Sequence, residues 1–593
     1  MKERKDIEEK YKWDLSSYYF SEKEFENDYN YVLNNFEKIK LFENKLNNEK
    51  DIFDCLDFEK TISKKLSKLY VYSSLITKED ATVSASDERL EKIVALSVKV
   101  SASSSFVSVE LAELDDNFLL SLLNNPRAKN YDLLIKDIIK CKKHTLSKKE
   151  ENLLSLMGEF SDGFSDVFDK FDNADITFED CVDSKGNKYP LNMATYGIYM
   201  ESEDRELRKN AIKNINGAFG KFHHTIGTNY INHVKKDCFY SKIRNFNSCL
   251  ESALFSEDVS KDVYDNLVES VNKNLSGIHQ YYDLKRQQLN LDKIALYDMS
   301  APTSSSYNLK LDYEDAYELV KTICAPLGEE YVSVLQRAFN ERWIDVFANK
   351  GKDNGAFSWG CYGENPVVLL NYEKTTNDIF TIAHEMGHAM HTYYSNNNQP
   401  YEKAGYEIFV AEVASTVNEM LMVRYQIQNA KSDEEKIYYY DYFLKMFRTT
   451  IMRQTMFAEF EKYAHEQHEK GVSLTIELLN NYYYELNKRY FGENVELVDE
   501  IKYEWLRIPH FYNSFYVYKY ATGLISAVII SEKIFNNELK AKDNYINFLK
   551  SGGSQDPVSL LKIAGVDLTK VETFDYAFNV MNKYINEFKN CIN

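Results

Sequence analysis

Apolar residues recur every three or four positions over long stretches of this chain, which is the pattern of amphipathic helices. The pattern predicts helices over residues 22–36, 52–76, 87–114 and 148–168. It loosens between residues 176 and 199, where Asp183–Asn187 has the composition of a turn. Helical periodicity resumes at Asp204, so we expect a soft domain boundary near residue 200, between residues 1–200 and residues 201–593.

Two short segments interrupt the helical pattern in the second half of the chain, at residues 294–299 and 355–372. Within the latter, Val367–Leu370 is an apolar run that is too short for a helix and is rich in β-branched residues. It predicts a short strand. The fold class predicted from the pattern is therefore mainly α.

The composition supports long helices and narrows the class of partner. The 593 residues include only 21 glycines and 8 prolines, too few for sandwiches or propellers of many short strands. The formal net charge is −20 and the isoelectric point is about 5.2. We therefore expect neither nucleic acid nor anionic lipid as a partner.

The cysteines and the longest apolar runs indicate a cytoplasmic protein. The eight cysteines include no CxxC pair, and the first residues are charged and lack an apolar segment. The longest apolar runs, such as Ile525–Ile530, fall far short of the ~20 residues that span a bilayer. We expect reduced thiols and no membrane segment.

One motif carries chemistry: the HEMGH sequence at residues 384–388. Thr375 or Thr376 can cap a helix that runs through this motif to about Ser395, and histidines four residues apart lie on one face of a helix. His384 and His388 can therefore bind a single Zn²⁺. Glu385 lies about 100° around the helix. It can contact an attacking water and accept its proton.

A catalytic zinc site needs a third protein ligand. Four candidates follow the motif: His391, Glu402, Glu407 and Glu412. His391 lies on nearly the same helix face as the motif, so we expect it to pack in the core or to support a ligand. Spacing alone does not choose among the glutamates. Helix phasing favours Glu412, which falls on a polar face, over Glu402 in a predicted loop.

A second close pair of histidines, His465 and His468, lies in the charged stretch from Glu459 to Lys470. The spacing of three and the charged surroundings differ from those of the first pair. We expect these two histidines to belong to a solvated helix face.

The chain resembles the oligoendopeptidase F family, within the thimet-oligopeptidase-like zinc metallopeptidases. The segments that carry the resemblance span nearly the whole chain in the family's order: residues 11–16, 355–358, 365–366, 369–372, 408–419, 447–450, 453–460 and 551–554. The resemblance implies that His384, His388 and Glu412 bind one Zn²⁺ per chain, with Glu385 as general base.

The resemblance also implies an architecture: a two-lobed helical metallopeptidase with a deep central channel and a small antiparallel sheet beside the zinc helix. Residues 1–200 would cover the channel, and residues 201–593 would form the catalytic domain. Val367–Tyr372 would be an edge strand that pairs with the backbone of a peptide. Val368, Leu370 and Tyr372 would thereby bind substrate, and Tyr518, outside this strand, is a fourth candidate for substrate binding.

A histidine followed by tyrosines completes the resemblance near the C-terminus. His510 would help to stabilise the oxyanion together with a tyrosine hydroxyl. Counting from His510 favours Tyr520 and Tyr516, with Tyr518 and Tyr512 as the next choices.

The function implied is endopeptidase cleavage of short unfolded peptides; nothing in the sequence sets the oligomeric state. Two alternatives stay open. One is a carboxypeptidase on the same scaffold, which needs a cation such as Arg448, Arg453 or Arg507 to hold the C-terminal carboxylate of its substrate. The other is a non-enzymatic helical protein that binds peptides.

Overall fold

The structure is a computed structural model that describes residues 2–303 and 307–592, and within these ranges it is mainly helical, as predicted. The α-helices are α1 Glu22–Asn35, α2 Glu49–Glu79, α3 Ser84–Ser104, α4 Phe106–Glu113, α5 Asp116–Leu122, α6 Asp132–Cys141, α7 Lys148–Ser161, α8 Gly163–Lys170, α9 Met193–Met200, α10 Arg205–Lys221, α11 His223–Ile243, α12 Cys249–Ser256, α13 Lys261–Lys273, α14 Leu275–Gln288, α15 Tyr313–Ile323, α16 Glu329–Asn340, α17 Thr376–Asn398, α18 Tyr401–Ala404, α19 Ile408–Asn429, α20 Asp433–Met446, α21 Arg453–Glu469, α22 Ile476–Phe491, α23 Tyr518–Phe535, α24 Ala541–Ser551, α25 Pro557–Ile563 and α26 Val571–Ile592.

The strands are short. They are β1 Cys181–Val182, β2 Lys188–Tyr189, β3 Ile294–Ala295, β4 Ile344–Asp345, β5 Phe357–Trp359, β6 Val367–Leu369 and β7 Val495–Glu496. Strands β1 and β2 form a hairpin around the turn predicted at residues 183–187, and β3 pairs with β7 in parallel.

The chain divides into two compact units, each built from three separate stretches. Unit 1 comprises Met1–Lys143, Asn308–Met422 and Ile530–Gly565. Unit 2 comprises His144–Tyr307, Val423–Ile529 and Val566–Asn593. The predicted division at residue 200 and the predicted central channel stay predictions.

The predicted helices form, and two of them are interrupted. The stretch 87–114 is divided between α3 and α4 at Ser105, and the stretch 148–168 is divided between α7 and α8 at Asp162. Local caps explain several of the starts. For example, the Ser21 side chain accepts a hydrogen bond from the Glu24 amide at the start of α1.

Unit 1 contains two apolar clusters that fix its N-terminal helices. One joins α1, α2 and α3 to the strand residues Val367 and Leu369. The other packs Phe53 and Leu56 of α2 against Leu111 of α4. The first cluster reaches the sheet that flanks α17, so burial of apolar side chains positions the helix that carries the HEMGH motif.

The sheet beside α17 is mixed and has the order β4-β6-β5. Strand β6 pairs in parallel with β4 and antiparallel with β5. The prediction of an antiparallel sheet is therefore correct only for β5 and β6. The prediction that Val367–Tyr372 forms the edge is wrong, because β6 is the central strand and β5 is an edge.

Among the described residues, the stretch Ser84–Glu113 is long and apolar enough to cross a membrane by length and composition alone. Only 22% of its most apolar window is buried. Its buried apolar residues Ile93, Leu96, Val107 and Leu111 belong to the two apolar clusters of unit 1. The predicted absence of a membrane partner stays a prediction.

Candidate functional site

Helix α17 and the part of α19 that belongs to unit 1 bring the three predicted ligands together. The Nε2 atoms of His384 and His388 are 3.2 Å apart, and the Glu412 Oε2 atom is 3.5 Å from the first and 3.6 Å from the second. Ligand atoms about 2.0–2.1 Å from a tetrahedral zinc ion lie roughly 3.3 Å from one another. The triangle of donor atoms therefore fits zinc, and its two imidazoles and one carboxylate form a donor set typical of catalytic zinc.

Helix α17 begins where the sequence predicts. The Thr375 side chain accepts a hydrogen bond from the Asp378 amide, and the Asp378 carboxylate accepts one from the Thr375 amide, which completes a capping box. From this start the helix carries His384 and His388 to the same face, one turn apart.

Helix α19 lies unusually close to α17 at Gly387. A Cβ atom on Gly387 would be 2.5 Å from Ser415 Cα and 2.6 Å from the Ala414 carbonyl oxygen. Asn418 adds a hydrogen bond from its side-chain amide to the Ala383 carbonyl, 3.0 Å long. Because the helices pack backbone to backbone, Glu412 reaches the two histidines from α19.

Glu419 is a functional candidate that the sequence reasoning did not assign. Its Oε1 atom is 2.6 Å from His384 Nδ1, so the imidazole donates from Nδ1 and presents Nε2 to a metal. Burial acts to lower the pKa of His384, but the hydrogen bond and charge of Glu419 outweigh it and raise the pKa to about 9, so a metal ion would have to displace the Nε2 proton. Glu419 lies two helical turns after Glu412 on the same polar face. This helical spacing is the sequence signal that could have identified Glu419 as a neighbour of the metal site.

Glu385 is buried beside the cluster. Desolvation raises the pKa of its carboxyl to about 7, although the charge of His384 and a hydrogen bond from the Ser358 backbone oppose the rise. Ser358 is the middle residue of the edge strand β5. The candidate base therefore contacts the edge of the sheet, and a pKa near 7 is well matched to proton transfer at neutral pH.

The other candidate ligands have different surroundings. His391 is fully buried and stacks on Tyr406 with ring centroids 3.7 Å apart. The expectation of core packing for His391 is confirmed. Glu402 makes an ion pair with Lys60 at 3.0 Å, and Glu407 is exposed.

The predicted oxyanion residues lie in unit 2. The hydroxyl of Tyr520 is 3.3 Å from His510 Nε2, and the rings of Tyr516 and Tyr520 are 5.4 Å apart. Tyr518 and Tyr512, the next choices from the sequence, have other partners. Tyr518 donates to Glu257 at 2.9 Å, and Tyr512 accepts from Asn229 at 3.1 Å. Among the four, Tyr520 and Tyr516 form the group around His510.

A family model for "Peptidase family M3" matches residues 198–580, and a model for "Oligopeptidase F" matches residues 110–178. The first match covers more than half of the chain. The chain belongs to peptidase family M3. The resemblance to the oligoendopeptidase F family is thus confirmed, and membership in family M3 makes the protein a peptidase.

Relatives of this M3 peptidase match it over its full length. It is 37% identical to oligopeptidase PepF of Bacillus subtilis over 99% of this chain and 88% of that protein. A solved structure from Chlamydophila abortus is 35% identical, with a TM-score of 0.94 and full coverage of both chains. The oligoendopeptidase-F structure from Enterococcus faecium is 30% identical, with a TM-score of 0.73, and covers 96% of this chain and 99% of that one.

The strand residues predicted to bind substrate are packed inside the M3 fold. Val368 and Leu370 are buried, and their amides donate to the carbonyls of Trp343 and Asp345. The Tyr372 hydroxyl donates to the Leu311 carbonyl at 3.0 Å. Contact between these residues and substrate stays a prediction.

The expectation of a solvated face at His465 is wrong. This histidine is buried in unit 2, and its Nε2 atom is 3.3 Å from Asp237 Oδ2. The same carboxylate accepts from the Ser514 hydroxyl, and Glu461 accepts from the Phe515 amide at 2.7 Å. Phe515 has a φ of 59°, a left-handed conformation that is uncommon for a bulky residue. The buried cluster therefore holds a strained backbone between His510 and Tyr520.

Proposed function

We propose that this M3 peptidase is a zinc-dependent endopeptidase that hydrolyses internal bonds of short unfolded peptides. The observation that carries the proposal is the triangle formed by His384, His388 and Glu412, with Glu385 buried beside it. The names of the curated relatives, such as oligopeptidase PepF, support oligopeptides as the substrate class.

The three ligands would hold one zinc ion, which supplies Lewis acidity and lowers the pKa of a bound water. Glu385 accepts a proton from the attacking water at its carboxylate and later gives that proton to the leaving amine. Desolvation raises the pKa of this carboxyl group, which makes the carboxylate a stronger base toward the attacking water. Glu419 holds His384 in the tautomer that leaves Nε2 available.

Two further roles are part of the proposal. The peptide would pair with the edge strand β5 rather than with the central strand β6, since only an edge offers unpaired main-chain groups to an added strand. The contact between Ser358 of β5 and Glu385 supports this choice, because a peptide on that edge passes close to the base. His510 and Tyr520 would donate hydrogen bonds to the oxyanion.

The carboxypeptidase alternative has less support. Arg453 and Arg507 both bind the buried Glu504, at 2.8 Å and 2.6 Å. Their charge is already partly compensated, which weakens them as anchors for a substrate carboxylate. Arg448 lines a cavity of about 230 Å³ together with Arg453, Arg507 and Glu504, so a C-terminal carboxylate would have to enter this cavity and compete with Glu504.

The test is a quenched fluorescent peptide with both ends blocked, incubated with zinc-loaded wild type, Glu385→Gln and Glu407→Gln. We expect internal cleavage by the wild type and by Glu407→Gln, a matched change at an exposed glutamate. Glu385→Gln should bind zinc but lose turnover. Full activity in zinc-loaded Glu385→Gln would refute the general-base role, and failure of the wild type to cut a blocked peptide would favour the carboxypeptidase.

A further inference from the structure

Two cysteines of unit 2 form a close pair that has no part in the proposed mechanism. Cys238 lies on α11 and Cys249 is the first residue of α12. Their Sγ atoms are 3.2 Å apart, with the Cys249 thiol donating to the Cys238 sulfur. The two residues are eleven positions apart in the sequence, so no CxxC motif signals them.

The separation of the sulfurs favours a disulfide over a shared metal. A disulfide bond is about 2.05 Å long, so the sulfurs would need to approach by little more than 1 Å. Two thiolates on one tetrahedral zinc ion, each about 2.3 Å from it, would lie roughly 3.8 Å apart. Glu469 is also near, but its carboxylate already accepts the Cys249 amide hydrogen at 2.6 Å.

The surroundings distinguish the two thiols. Cys238 lines an open cleft of about 370 Å³, together with the side chains of Lys235 and Lys242. Cys249 is buried, with an exposed fraction of 4%. A small oxidant therefore reaches Cys238 first, and Cys249 is positioned behind it.

The electrostatics agree with this order. The hydrogen bond from Cys249 lowers the pKa of the Cys238 thiol, although burial and the carboxylates of Glu469 and Asp237 oppose the shift. The same hydrogen bond, together with burial, raises the pKa of Cys249. The thiolate is the nucleophile, so Cys238 is the thiol prepared to react.

Four other cysteines have thiols that are less reactive than that of Cys238. Cys55, Cys181, Cys324 and Cys361 are buried, and desolvation raises the pKa of each thiol, to about 11 for Cys181 and about 12 for the other three. Thiols of this kind react slowly with oxidants.

We propose that Cys238 and Cys249 are a redox-active dithiol that a peroxide closes to an intramolecular disulfide. The Cys238 thiolate attacks one peroxide oxygen of hydrogen peroxide, the O–O bond breaks, and Cys238 becomes a sulfenic acid while hydroxide leaves and is protonated to water. The Cys249 sulfur then attacks the Cys238 sulfur. The S–O bond breaks and a second water leaves with the Cys249 proton. In sum, two thiols lose two electrons and two protons, and one peroxide becomes two waters.

The test treats the full-length reduced protein with hydrogen peroxide at neutral pH and maps peptides without reduction. We expect a linked pair of peptides containing Cys238 and Cys249, two fewer free thiols of the eight, and recovery of both with dithiothreitol. Cys249→Ser should stop at a sulfenic acid on Cys238 that dimedone traps. Cys141→Ser, a partly exposed cysteine in unit 1, is the matched control and should form the link as the wild type does.

The non-reduced peptide map of the wild-type protein does not depend on the folding of any variant, so it tests the proposal by itself. Absence of the 238–249 link at peroxide concentrations that oxidise methionines would overturn it. So would a second zinc ion per chain that is lost in the Cys238→Ser protein, because the pair would then be a metal site. Dimedone labelling of Cys249 in preference to Cys238 would contradict the assigned order of attack.

Discussion

Replacing Gly387 by alanine tests whether the contact between α17 and α19 builds the metal site. The new Cβ would be 2.5 Å from Ser415 Cα, and ordinary contacts begin at about 3.4 Å, so α19 must move by about 0.9 Å at Ser415. The nearest atoms are backbone, and no rotation of a side chain relieves the clash. Overpacking of this kind costs about 1–3 kcal/mol.

The displacement of α19 should also change the geometry of the metal site. Glu412 lies one turn before Ser415 on α19, so its carboxylate moves with the helix. Metal–ligand distances tolerate changes of only about 0.2 Å. We therefore expect Gly387→Ala to weaken zinc binding, measured by competition with a chromogenic chelator, and to lose part of the stabilisation that zinc gives the wild type in urea unfolding.

Gly158→Ala is the matched control. Gly158 is also within a helix, α7, and a Cβ there would meet no atom within 4 Å. Alanine favours the helix over glycine by about 1 kcal/mol, so this variant should be as stable as the wild type or more so. If Gly387→Ala matched Gly158→Ala in urea midpoint and bound zinc like the wild type, the close approach of α17 and α19 would not determine the site.

Three other substitutions test residues at the metal site and at the segment that follows His510. Glu419→Gln should weaken zinc binding about 10–100-fold in the chelator competition, because it removes the charged partner of a ligand; unchanged affinity would exclude this role. Tyr520→Phe should lower kcat about 10²–10³-fold if its hydroxyl stabilises the oxyanion, whereas Tyr518→Phe should leave kcat near the wild-type value; equal effects would reject the assignment. Burial raises the pKa of Glu461 to about 8, so its ionisation destabilises the folded state and stability falls as pH rises from about 4.5 through 8. Glu461→Gln should flatten this part of the urea-unfolding profile, and Glu477→Gln, at an exposed position, should follow the wild type; parallel profiles for all three proteins would refute it.

Local signals in the sequence predict much of the fold and the metal centre. The capping box at Thr375 and the spacing of the two histidines act within one helix, so their geometry follows from helix periodicity. Glu412 also lies on a predicted polar face. The breaks at Ser105 and Asp162 were missed, because helical periodicity continues across them.

The features that the sequence did not predict depend on partners far along the chain. Strand β6 is central because β4, more than twenty residues earlier, pairs with its other side. His465 is buried with Asp237, 228 residues away, as its hydrogen-bond partner. An apolar run predicts a strand and a charged run predicts a surface, but neither reveals which distant segment covers it.

The discontinuity of the two compact units has a consequence for synthesis of the chain. Unit 1 needs the stretch Ile530–Gly565, and unit 2 needs Val566–Asn593. Neither unit is complete until nearly the whole polypeptide has left the ribosome. The apolar faces of the N-terminal helices of unit 1 stay exposed until the later stretches of the unit have been synthesised. Exposed apolar surface favours aggregation and binding by chaperones. Expression of either unit as a continuous fragment would omit strands or helices that it needs, so variants of this enzyme are best made in the full-length chain.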